Sequence, residues 1–458
     1  MIYKTNWLSG LLGPLLVCTS AAAVQSDMAT SNQASLFIDN GAVFGMGYNA
    51  YGTIQPGSAT QFLTPYFSGK LNAVSVAISG ARSAVLYKGG TAEMAGPDAN
   101  GVAMFTMLPA SNITDVAISQ RQVYYVANQV LYSWTGQAHV APVQVASNVS
   151  QVASGDYHIV ILFTNGTVGT LGESWTGLSN NHGQLGNGTT AEGTNTVYMV
   201  PNVSAAAIAA GNSHTFLLQA DGTVIGFGKN TQYELGLGAS NAKNQVTPVK
   251  VPNLTGVKKI SAGLGNALMA LKLDGTITAC GWHNYNSEVP YLQLSSKQCT
   301  ALPISGVKDI STGTGRLLVD TGIYGQRQGW GGNHYGSLGT GNNTETHTIG
   351  AIYFQPVTAA TVAAAVTAAP KQALVIAPKP RVIAPKPVVA APKPVVAPVP
   401  APAPKPVVAP APAPKPVVAP APVKCNNGFG NGDQCAPGNS LTNNNAENAQ
   451  PGKTPGKT

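Results

Sequence analysis

Short apolar runs alternate with turns rich in Gly, Asn and Asp along most of the chain, a pattern typical of many short β-strands. The clearest unit, residues 208–228, places an apolar run on each side of an Asp-Gly turn. Similar units occupy residues 152–168, 260–282 and 310–324, and degenerate units occupy residues 35–45, 76–90 and 116–132. Only 9% of the residues are charged, which does not suit long amphipathic helices with a charged outer face. The pattern therefore predicts an all-β fold.

The turns inside these units recur 37 to 56 residues apart, which is the range of propeller blades. They fall near Gly41, Gly90, Gln129, Gly166, Gly222, Gly275 and Gly322. Asn-Gly and Asp-Gly turns permit the positive φ of a type I′ hairpin. Small residues in the first strand of each unit allow several blades to converge on one axis. Because a single blade cannot bury both of its faces, we expect seven blades to close into a ring.

The units resemble the regulator of chromosome condensation repeat family over about residues 30–368. The shared features are Ala-Gly-x-x-His, an apolar strand, Asp-Gly-Thr-Val, Gly-x-Gly and Gly-Gln-Leu-Gly. The second and third units lack the Gly-Gln-Leu-Gly loop, and only His158 and His214 match the family histidine. The resemblance implies a seven-bladed β-propeller. Because the first unit lacks a strand before Ser35, residues 354–366 are predicted to supply that strand and close the ring.

Composition divides the chain into four segments. Residues 1–23 are predicted to be a signal peptide, and residues 24–368 the seven-bladed propeller. Residues 369–424 repeat Ala-Pro-Lys-Pro-Val-Val, which favours an extended polyproline II spacer rich in Pro, Ala and Lys; a plain disordered linker is the equal alternative. Residues 425–458 are rich in Asn and Gly, and are predicted to be a disordered polar tail.

The N-terminus has the layout of a secretory signal. Lys4 precedes a mostly apolar stretch, and Ala21-Ala22-Ala23 supplies small residues for cleavage after Ala23. Lipidation at Cys18 is the alternative. We therefore expect an exported protein in the periplasm, at the cell surface or in the medium. No later apolar run is long enough for a transmembrane helix.

Cleavage at that site would leave four cysteines, and an even number in an exported protein suggests disulfides. Their spacing favours two local pairs, Cys280–Cys299 and Cys425–Cys435, the second closing a small loop in the tail. Free buried thiols are the alternative for the first pair.

The net charge of +8 is confined to the spacer. Residues 371–424 contain seven Lys, one Arg and no acidic residue, whereas the rest of the chain sums to zero. A folded nucleic-acid-binding domain would place its basic residues on one face of the fold. We therefore expect no nucleic-acid partner, and interpret the basic spacer as a segment that crosses or contacts the cell envelope.

Motifs of enzymatic chemistry are absent from the sequence. No H-E-x-x-H, G-x-S-x-G or C-x-x-C occurs, and the terminal Gly-Lys-Thr triplets lack the earlier Gly of a phosphate-binding loop. His158 and His214 occupy equivalent repeat positions, which favours a packing role. We predict no catalytic residue, no metal and no cofactor.

Aromatic residues recur just after the second strand of several units, where the loops of a propeller share one face. Tyr48 and Tyr51 occupy this position in the first unit. The aromatic residues predicted to bind a partner are Trp175, Tyr233, Trp282, Tyr285, Trp330 and Tyr335. Burial between blades is the alternative for each Trp. Aromatic side chains at a surface are enriched in protein-binding hot spots.

We therefore predict a monomeric, non-catalytic scaffold that binds a protein partner through one face. The family resemblance implies a second hypothesis, guanine-nucleotide exchange on a small GTPase. A third is an enzyme with its site at the propeller axis, because a fold does not set a function.

Overall fold

The computed structural model describes residues 27–55, 59–97, 103–137, 139–173, 178–193, 195–263, 266–282, 297–322, 327–344 and 346–352. These residues form seven four-stranded antiparallel sheets, each built from four consecutive strands. The fold is therefore the predicted seven-bladed β-propeller, and we number its blades 1 to 7 in chain order.

The strands of blades 1 to 4 are β1 (Met28–Thr30), β2 (Ala34–Asp39), β3 (Ala42–Tyr48), β4 (Gln61–Phe67), β5 (Ala73–Ser79), β6 (Arg82–Tyr87), β7 (Ala92–Pro97), β8 (Ala103–Met107), β9 (Ile113–Ile118), β10 (Val123–Ala127), β11 (Val130–Trp134), β12 (Val143–Ser147), β13 (Val149–Ser154), β14 (His158–Phe163), β15 (Val168–Gly172) and β16 (Tyr198–Met199). Those of blades 5 to 7 are β17 (Ala207–Ala210), β18 (His214–Leu218), β19 (Val224–Gly228), β20 (Gln245–Lys250), β21 (Val257–Ala262), β22 (Asn266–Lys272), β23 (Ile277–Trp282), β24 (Thr300–Ala301), β25 (Asp309–Gly313), β26 (Arg316–Asp320), β27 (Arg327–Gly331) and β28 (Thr346–Ala351). A 3₁₀ turn spans His334–Gly336.

The seven predicted turns all join the second strand of a blade to its third strand, and the named residue of each has a positive φ. Only Asn40-Gly41 and Asn128-Gln129 have two successive positive φ values, as a type I′ hairpin requires. The Asp-Gly turns differ from that expectation, because Asp221 keeps a negative φ and its Oδ1 accepts the Thr223 N–H at 2.9 Å. The Asp221 carboxylate thus stabilises a turn whose geometry is not that of type I′.

The first strand of every blade lines a central channel of about 230 Å³. Small side chains such as Ala77, Ala117 and Ala209 face neighbouring first strands there. This arrangement agrees with the small residues that the sequence repeats in each first strand, since bulky side chains would keep the blades apart.

The first blade contains its own innermost strand, which corrects the predicted closure. β1 pairs with β2 in the register Thr30↔Ser35, so the position assigned to residues 354–366 is already occupied. β1 is only three residues long and carries no Gly signature, which is why the repeat pattern missed it. Residues 354–366 lie outside the described residues. The ring therefore closes between whole blades, with β1 beside β25.

We call the interface between two adjacent blades a seam. The described residues form seven clusters of buried apolar side chains, one at each seam. In seam 7/1, for example, Phe37 and Met46 of blade 1 pack with Leu318 and Leu338 of blade 7. The core is thus a ring of seven seams around the channel, and each blade is stabilised by both neighbours.

A disulfide joins Cys280 to Cys299 in blade 6, the first of the two pairs that the spacing favours. Cys280 is fully buried in the cluster of seam 5/6. Cys425 and Cys435, like the predicted signal peptide, spacer and tail, lie outside the described residues. Within the part of the chain that the structure describes, no helix has the length and apolar character needed to cross a bilayer.

Candidate protein-interaction face

We call the propeller face that carries the loops between third and fourth strands the upper face, and the face with the predicted hairpins the lower face. Among the described upper loops, four contain a buried Asn whose Oδ1 accepts the N–H of the residue five positions later. The pairs are Asn49–Ile54 (2.7 Å), Asn180–Leu185 (3.0 Å), Asn230–Leu235 (2.9 Å) and Asn333–Leu338 (2.8 Å). We call these segments plug loops.

The amide nitrogen of each Asn fastens the far end of its plug loop. Asn333 Nδ2 donates to Asn342 O at 2.8 Å and to Thr344 O at 3.0 Å. Asn180 Nδ2 donates to Thr189 O at 3.0 Å and to Ala191 O at 2.9 Å. A single buried side chain therefore satisfies backbone groups at both ends of a loop, which makes the loop rigid.

The aliphatic residue of each plug loop fills the top of a seam. Ile54 belongs to the cluster of seam 1/2, Leu235 to seam 5/6 and Leu338 to seam 7/1. Leu185 is likewise buried beside blade 5, where the backbone of Gly186 packs on the ring of Phe227. The Leu of the Gly-Gln-Leu-Gly motif is thus a core residue, and the Asn positions it.

Three tyrosines gather on the upper face at seam 7/1, and we call them the tyrosine patch. The ring centroid of Tyr48 lies 4.9 Å from that of Tyr335 and 5.9 Å from that of Tyr51. Tyr335 is 42% exposed and Tyr51 is also exposed. Both exposed tyrosines belong to plug loops, so rigid backbone presents them to solvent.

Leu63 and two polar residues border the tyrosine patch. The backbone of Gly336 packs directly on exposed Leu63, and Gly341 N donates to Leu63 O at 2.9 Å. Gln61 Nε2 donates to Asn343 Oδ1 at 2.8 Å across the same seam. An apolar centre with a polar, uncharged rim is the usual anatomy of a protein interface.

Three of the six predicted binding residues have described side chains, and these three lie in different surroundings. Tyr335 is exposed in the tyrosine patch, and Tyr233 is half-buried under Lys297, whose Nζ lies 4.7 Å from its ring centroid. Trp330 is only 5% exposed and packs in the cluster of seam 6/7, which corrects its assignment to an exposed surface. Trp330 lies within β27, and because both faces of blade 7 pack against a neighbouring blade, its side chain is buried in the seam on its own side.

The other three predicted residues cannot be placed in the same way. Trp175 and Tyr285 lie outside the described residues, and Trp282 ends β23 with a side chain outside the description. Tyr48 and Tyr51, which share the loop position in the first unit, complete the observed patch instead.

Tyr233 has an unusual backbone for a bulky residue. Its φ is 62°, at the loop position three residues after the buried Asn. The corresponding residues of the other plug loops are Gly52, Gly183 and Gly336, all with positive φ. A non-glycine residue in this region costs on the order of 1 kcal/mol or more, and the Lys297 contact over the ring offsets part of that cost.

The two repeat histidines are packing residues. His158 and His214 are fully buried, and a Cβ on Gly155 or Gly211 would collide with their rings. This close approach explains the Gly that stands three residues before each histidine in Ala-Gly-x-x-His and its variants.

The protonation state of His158 follows from its hydrogen bonds. Thr215 Oγ1 donates to Gln184 O at 3.0 Å, so the 2.9 Å contact between His158 Nε2 and Thr215 Oγ1 has Nε2 as the donor. His158 Nδ1 has no hydrogen-bond partner among the described residues. Burial lowers the pKa of His158 to about 3. The ring is therefore neutral and structural at physiological pH.

The lining of the central channel is mostly apolar in the described part of the ring. It consists mainly of Ala, Ile and Val with a few hydroxyl groups. Gln151, Lys258 and Lys259 also line the channel, and Lys259 is paired with Asp309. Among the described residues, no three His, Cys, Asp or Glu side chains are placed to hold a metal ion.

Comparison with known proteins supports the repeat assignment. Models of the regulator of chromosome condensation (RCC1) repeat match residues 221–269 and 205–234. Residues 205–269 thus carry the regulator of chromosome condensation repeat. Both matches fall in blades 5 and 6, where the structure shows the plug loop around Asn230 and Leu235. The RCC1-repeat propeller is typically an interaction scaffold rather than an enzyme.

Curated relatives are similar over part of their length. The ultraviolet-B receptor UVR8 of Arabidopsis thaliana is 27% identical over 43% of this chain and 44% of its own length. The regulator of chromosome condensation of Xenopus laevis is 32% identical over 33% of this chain and 35% of its own. The probable E3 ubiquitin-protein ligase HERC3 of Homo sapiens is 28% identical over 42% of this chain and 18% of its own. The chain thus spans less than half the length of these relatives.

Solved structures confirm the fold. Prp20p of Saccharomyces cerevisiae, studied for its binding to Gsp1p and histones, superposes with a TM-score of 0.56 at 17% identity. That match covers 73% of this chain and 89% of Prp20p. Yeast RCC1 (Prp20) in complex with Kap60 gives a TM-score of 0.55, also at 17% identity, over 79% of this chain and 91% of that chain.

Proposed function

We propose that this protein is an exported, non-catalytic scaffold that binds a protein partner through its upper face, with the tyrosine patch as the anchor. The observation that carries the proposal is the pair of exposed tyrosines, Tyr51 and Tyr335, packed against half-buried Tyr48 on rigid loops at seam 7/1. Large aromatic side chains that lose little entropy on binding are typical centres of binding energy.

The surroundings of the patch favour a neutral partner surface. The bordering groups are Leu63 and the amides of Gln61 and Asn343, without a charged side chain among those residues. Binding should therefore depend weakly on salt, because few ion pairs would form. Contact through the basic spacer would instead weaken as ionic strength rises.

The similar proteins support a protein-binding function but do not identify the partner. Prp20p is described with Gsp1p and histones and with Kap60, so propellers of this fold do bind proteins. Export remains a proposal from the N-terminal sequence, and so does association of the spacer with the cell envelope.

Affinity capture with the full chain from whole-cell and medium fractions supplies candidate partners, and hydrogen exchange then maps the contact with each purified candidate. We expect slower exchange at residues 48–52 and 332–344 and no change in the lower-face hairpin at residues 272–276. Removal of residues 369–424 should leave the affinity unchanged. Protection confined to the lower face, or binding that requires the spacer, would contradict the proposal.

A further inference from the structure

Residues 297–299, which we call the strap, contact the plug loop of blade 5 across seam 5/6. Gly238 N donates to Lys297 O at 3.1 Å, and Leu237 forms an antiparallel bridge with Gln298. The strap directly precedes β24 and therefore belongs to blade 6. These contacts thus join two neighbouring blades on the upper face.

The disulfide ties the strap to β23. Cys280 is fully buried in the cluster of seam 5/6, and Cys299 packs against the same cluster. The backbone of Gly236 in the plug loop lies against both cysteines, because a Cβ there would collide with Cys299 Sγ and lie 3.1 Å from Cys280 Cβ. After the strap, β24 pairs with β23 through Thr300 and Ala301 alone. The covalent bond is therefore the strongest described link between the strap and blade 6.

Two residues that meet at the strap have strained backbones. The φ of Tyr233 is 62° and that of Lys297 is 55°. Bulky residues remain in this left-handed region only where their surroundings hold them there. Lys297 Nζ lies 4.7 Å from the ring centroid of Tyr233, so the two strained residues hold each other in place. Release of the strap would let both backbones relax, which favours its separation from the plug loop.

The two cysteines differ in exposure. Cys280 is fully buried, whereas Cys299 is half-buried and lies between exposed Gln298 and Thr300. An external thiol would therefore approach the bond from the Cys299 side.

The other plug loops provide internal references. Cys280 and Cys299 are the only cysteines in the sequence of residues 24–368. A thiol reagent therefore has no disulfide to break in the plug loops of blades 1, 4 and 7, which share the buried Asn but not the strap.

We propose that the Cys280–Cys299 disulfide is a redox latch, which holds the strap against the plug loop of blade 5 and releases both segments when a dithiol reduces it. A thiolate of the dithiol attacks Sγ of Cys299, the Sγ–Sγ bond breaks, and Cys280 leaves as a thiolate that takes up a proton. The second thiol of the reductant then displaces Cys299. The reductant becomes a disulfide, and the protein gains two electrons and two protons.

Reduction should leave the ring of blades intact. The apolar cluster of seam 5/6 does not require the S–S bond, and Asn230 Oδ1 still accepts Leu235 N at 2.9 Å. The change is therefore confined to the strap and to residues 236–241, which form part of the upper face. The latch lies away from the tyrosine patch at seam 7/1 and does not depend on the proposed partner.

Hydrogen exchange of the full-length protein before and after treatment with dithiothreitol tests the latch, with reduction of the bond followed by mass spectrometry. We expect exchange at residues 236–241 and 297–301 to become about tenfold faster or more, because the hydrogen bond of Gly238 N is lost. Residues 180–191 and 333–344, in the plug loops of blades 4 and 7, should change less than twofold. A disulfide that resists reduction in the folded protein, unchanged exchange at residues 236–241, or equal acceleration in all three plug loops would overturn the proposal.

Two double variants separate this pair from the cysteines of the tail. Cys280→Ala/Cys299→Ala should show the fast exchange without a reductant, and dithiothreitol should change it no further. Cys425→Ser/Cys435→Ser should respond to dithiothreitol as the wild type does. Slow exchange at residues 236–241 in the first variant, or loss of the response in the second, would contradict the latch.

Discussion

Seams 7/1 and 3/4 join neighbouring blades in opposite ways. Blades 3 and 4 are connected by the chain itself, since β12 ends at Ser147 and β13 begins at Val149. Blades 7 and 1 are not consecutive in sequence, so side chains must hold them together. Seam 7/1 contains two arginine clamps in addition to a plug like those of seams 1/2, 4/5 and 5/6. Seam 3/4 instead contains a groove of about 650 Å³ that is lined by Tyr124, Val143 and Leu171, among other described residues.

The clamps of seam 7/1 bind blade 7 to the backbone of blade 1. Arg316 donates to Ser31 O at 2.7 Å and to Asn32 O at 3.1 Å, and Arg327 donates to Ile38 O at 2.7 Å. Ser35 Oγ also donates to Ser337 O at 2.8 Å. Buried arginine side chains therefore cross the seam that has no chain connection, and the tyrosine patch lies on the upper face of the same seam.

The largest expected effect comes from breaking a clamp. Arg327 lies between Asp39 (3.3 Å) and Asp320 (3.0 Å), and all three side chains are largely buried. Arg327→Met should lower the free energy of unfolding by about 3–5 kcal/mol, because two carboxylates would lose their partner. Denaturant unfolding of the full chain measures it, with exposed Arg121→Met as the control. A loss below about 1 kcal/mol would mean that the clamp does not close the ring.

The second-largest loss of stability is expected from a substitution in the plug loop of the same seam. Leu338 is fully buried, so Leu338→Ala leaves a cavity and should cost about 3 kcal/mol. Leu273→Ala on the lower face, where the side chain is 73% exposed, should change stability by less than about 0.5 kcal/mol. Equal effects of the two substitutions would show that the plug loop does not fill the seam.

His158 should make a pH-dependent contribution to the free energy of unfolding. It lies at seam 4/5, which has both a chain connection and a plug. The pKa of His158 is about 3 in the fold, below the usual value of about 6.5. The neutral ring is favoured by folding, so its contribution is present above about pH 6.5 and decreases as pH falls toward 3. Between pH 7 and pH 5 the loss should be about 2 kcal/mol.

Comparison with His158→Gln isolates this contribution, because carboxylates titrate equally in both proteins. Unfolding free energies of the two proteins at pH 7 and pH 5 give the difference. If the variant loses as much stability as the wild type between these pH values, His158 is not the titrating group.

The smallest effect is expected at seam 3/4. Val143→Ala removes an exposed side chain at the mouth of the groove and should change the free energy of unfolding by less than about 0.5 kcal/mol. A thermal melt checks this directly. A loss of 2 kcal/mol or more would indicate that the groove closes in solution and that the contrast with seam 7/1 is false.

The sequence predicts repeated local features better than features that occur once. All seven turns are placed correctly because positive φ restricts the residues allowed there. The short β1 carries no such restriction, and its absence from the pattern led to the wrong closing strand. Trp330 follows the aromatic pattern, yet period and spacing do not tell a seam-facing residue from an exposed one.

The plug loops could have been found from the sequence. An Asn stands five residues before the aliphatic residue in all four, as in Asn49 and Ile54, where the Gly-Gln-Leu-Gly motif itself is missing. By contrast, the pairing of Arg327 with Asp39 joins opposite ends of the propeller chain, and no local pattern indicates it. The groove of seam 3/4 lies beside residues 135–142, whose sequence lacks the Asn of a plug loop, but its lining by Tyr124 and Leu171 joins two blades that no local pattern relates.

The most direct test of the proposed function is a titration of the captured partner against the full-length Tyr51→Ala/Tyr335→Ala double variant. Loss of about 2 kcal/mol or more, roughly a 30-fold weaker affinity, is expected if these side chains anchor the partner. Leu273→Ala, on the opposite face, should bind within twofold of wild type, and all proteins should share one melting temperature. Wild-type affinity of the double variant, or equal weakening by Leu273→Ala, would contradict binding through the upper face.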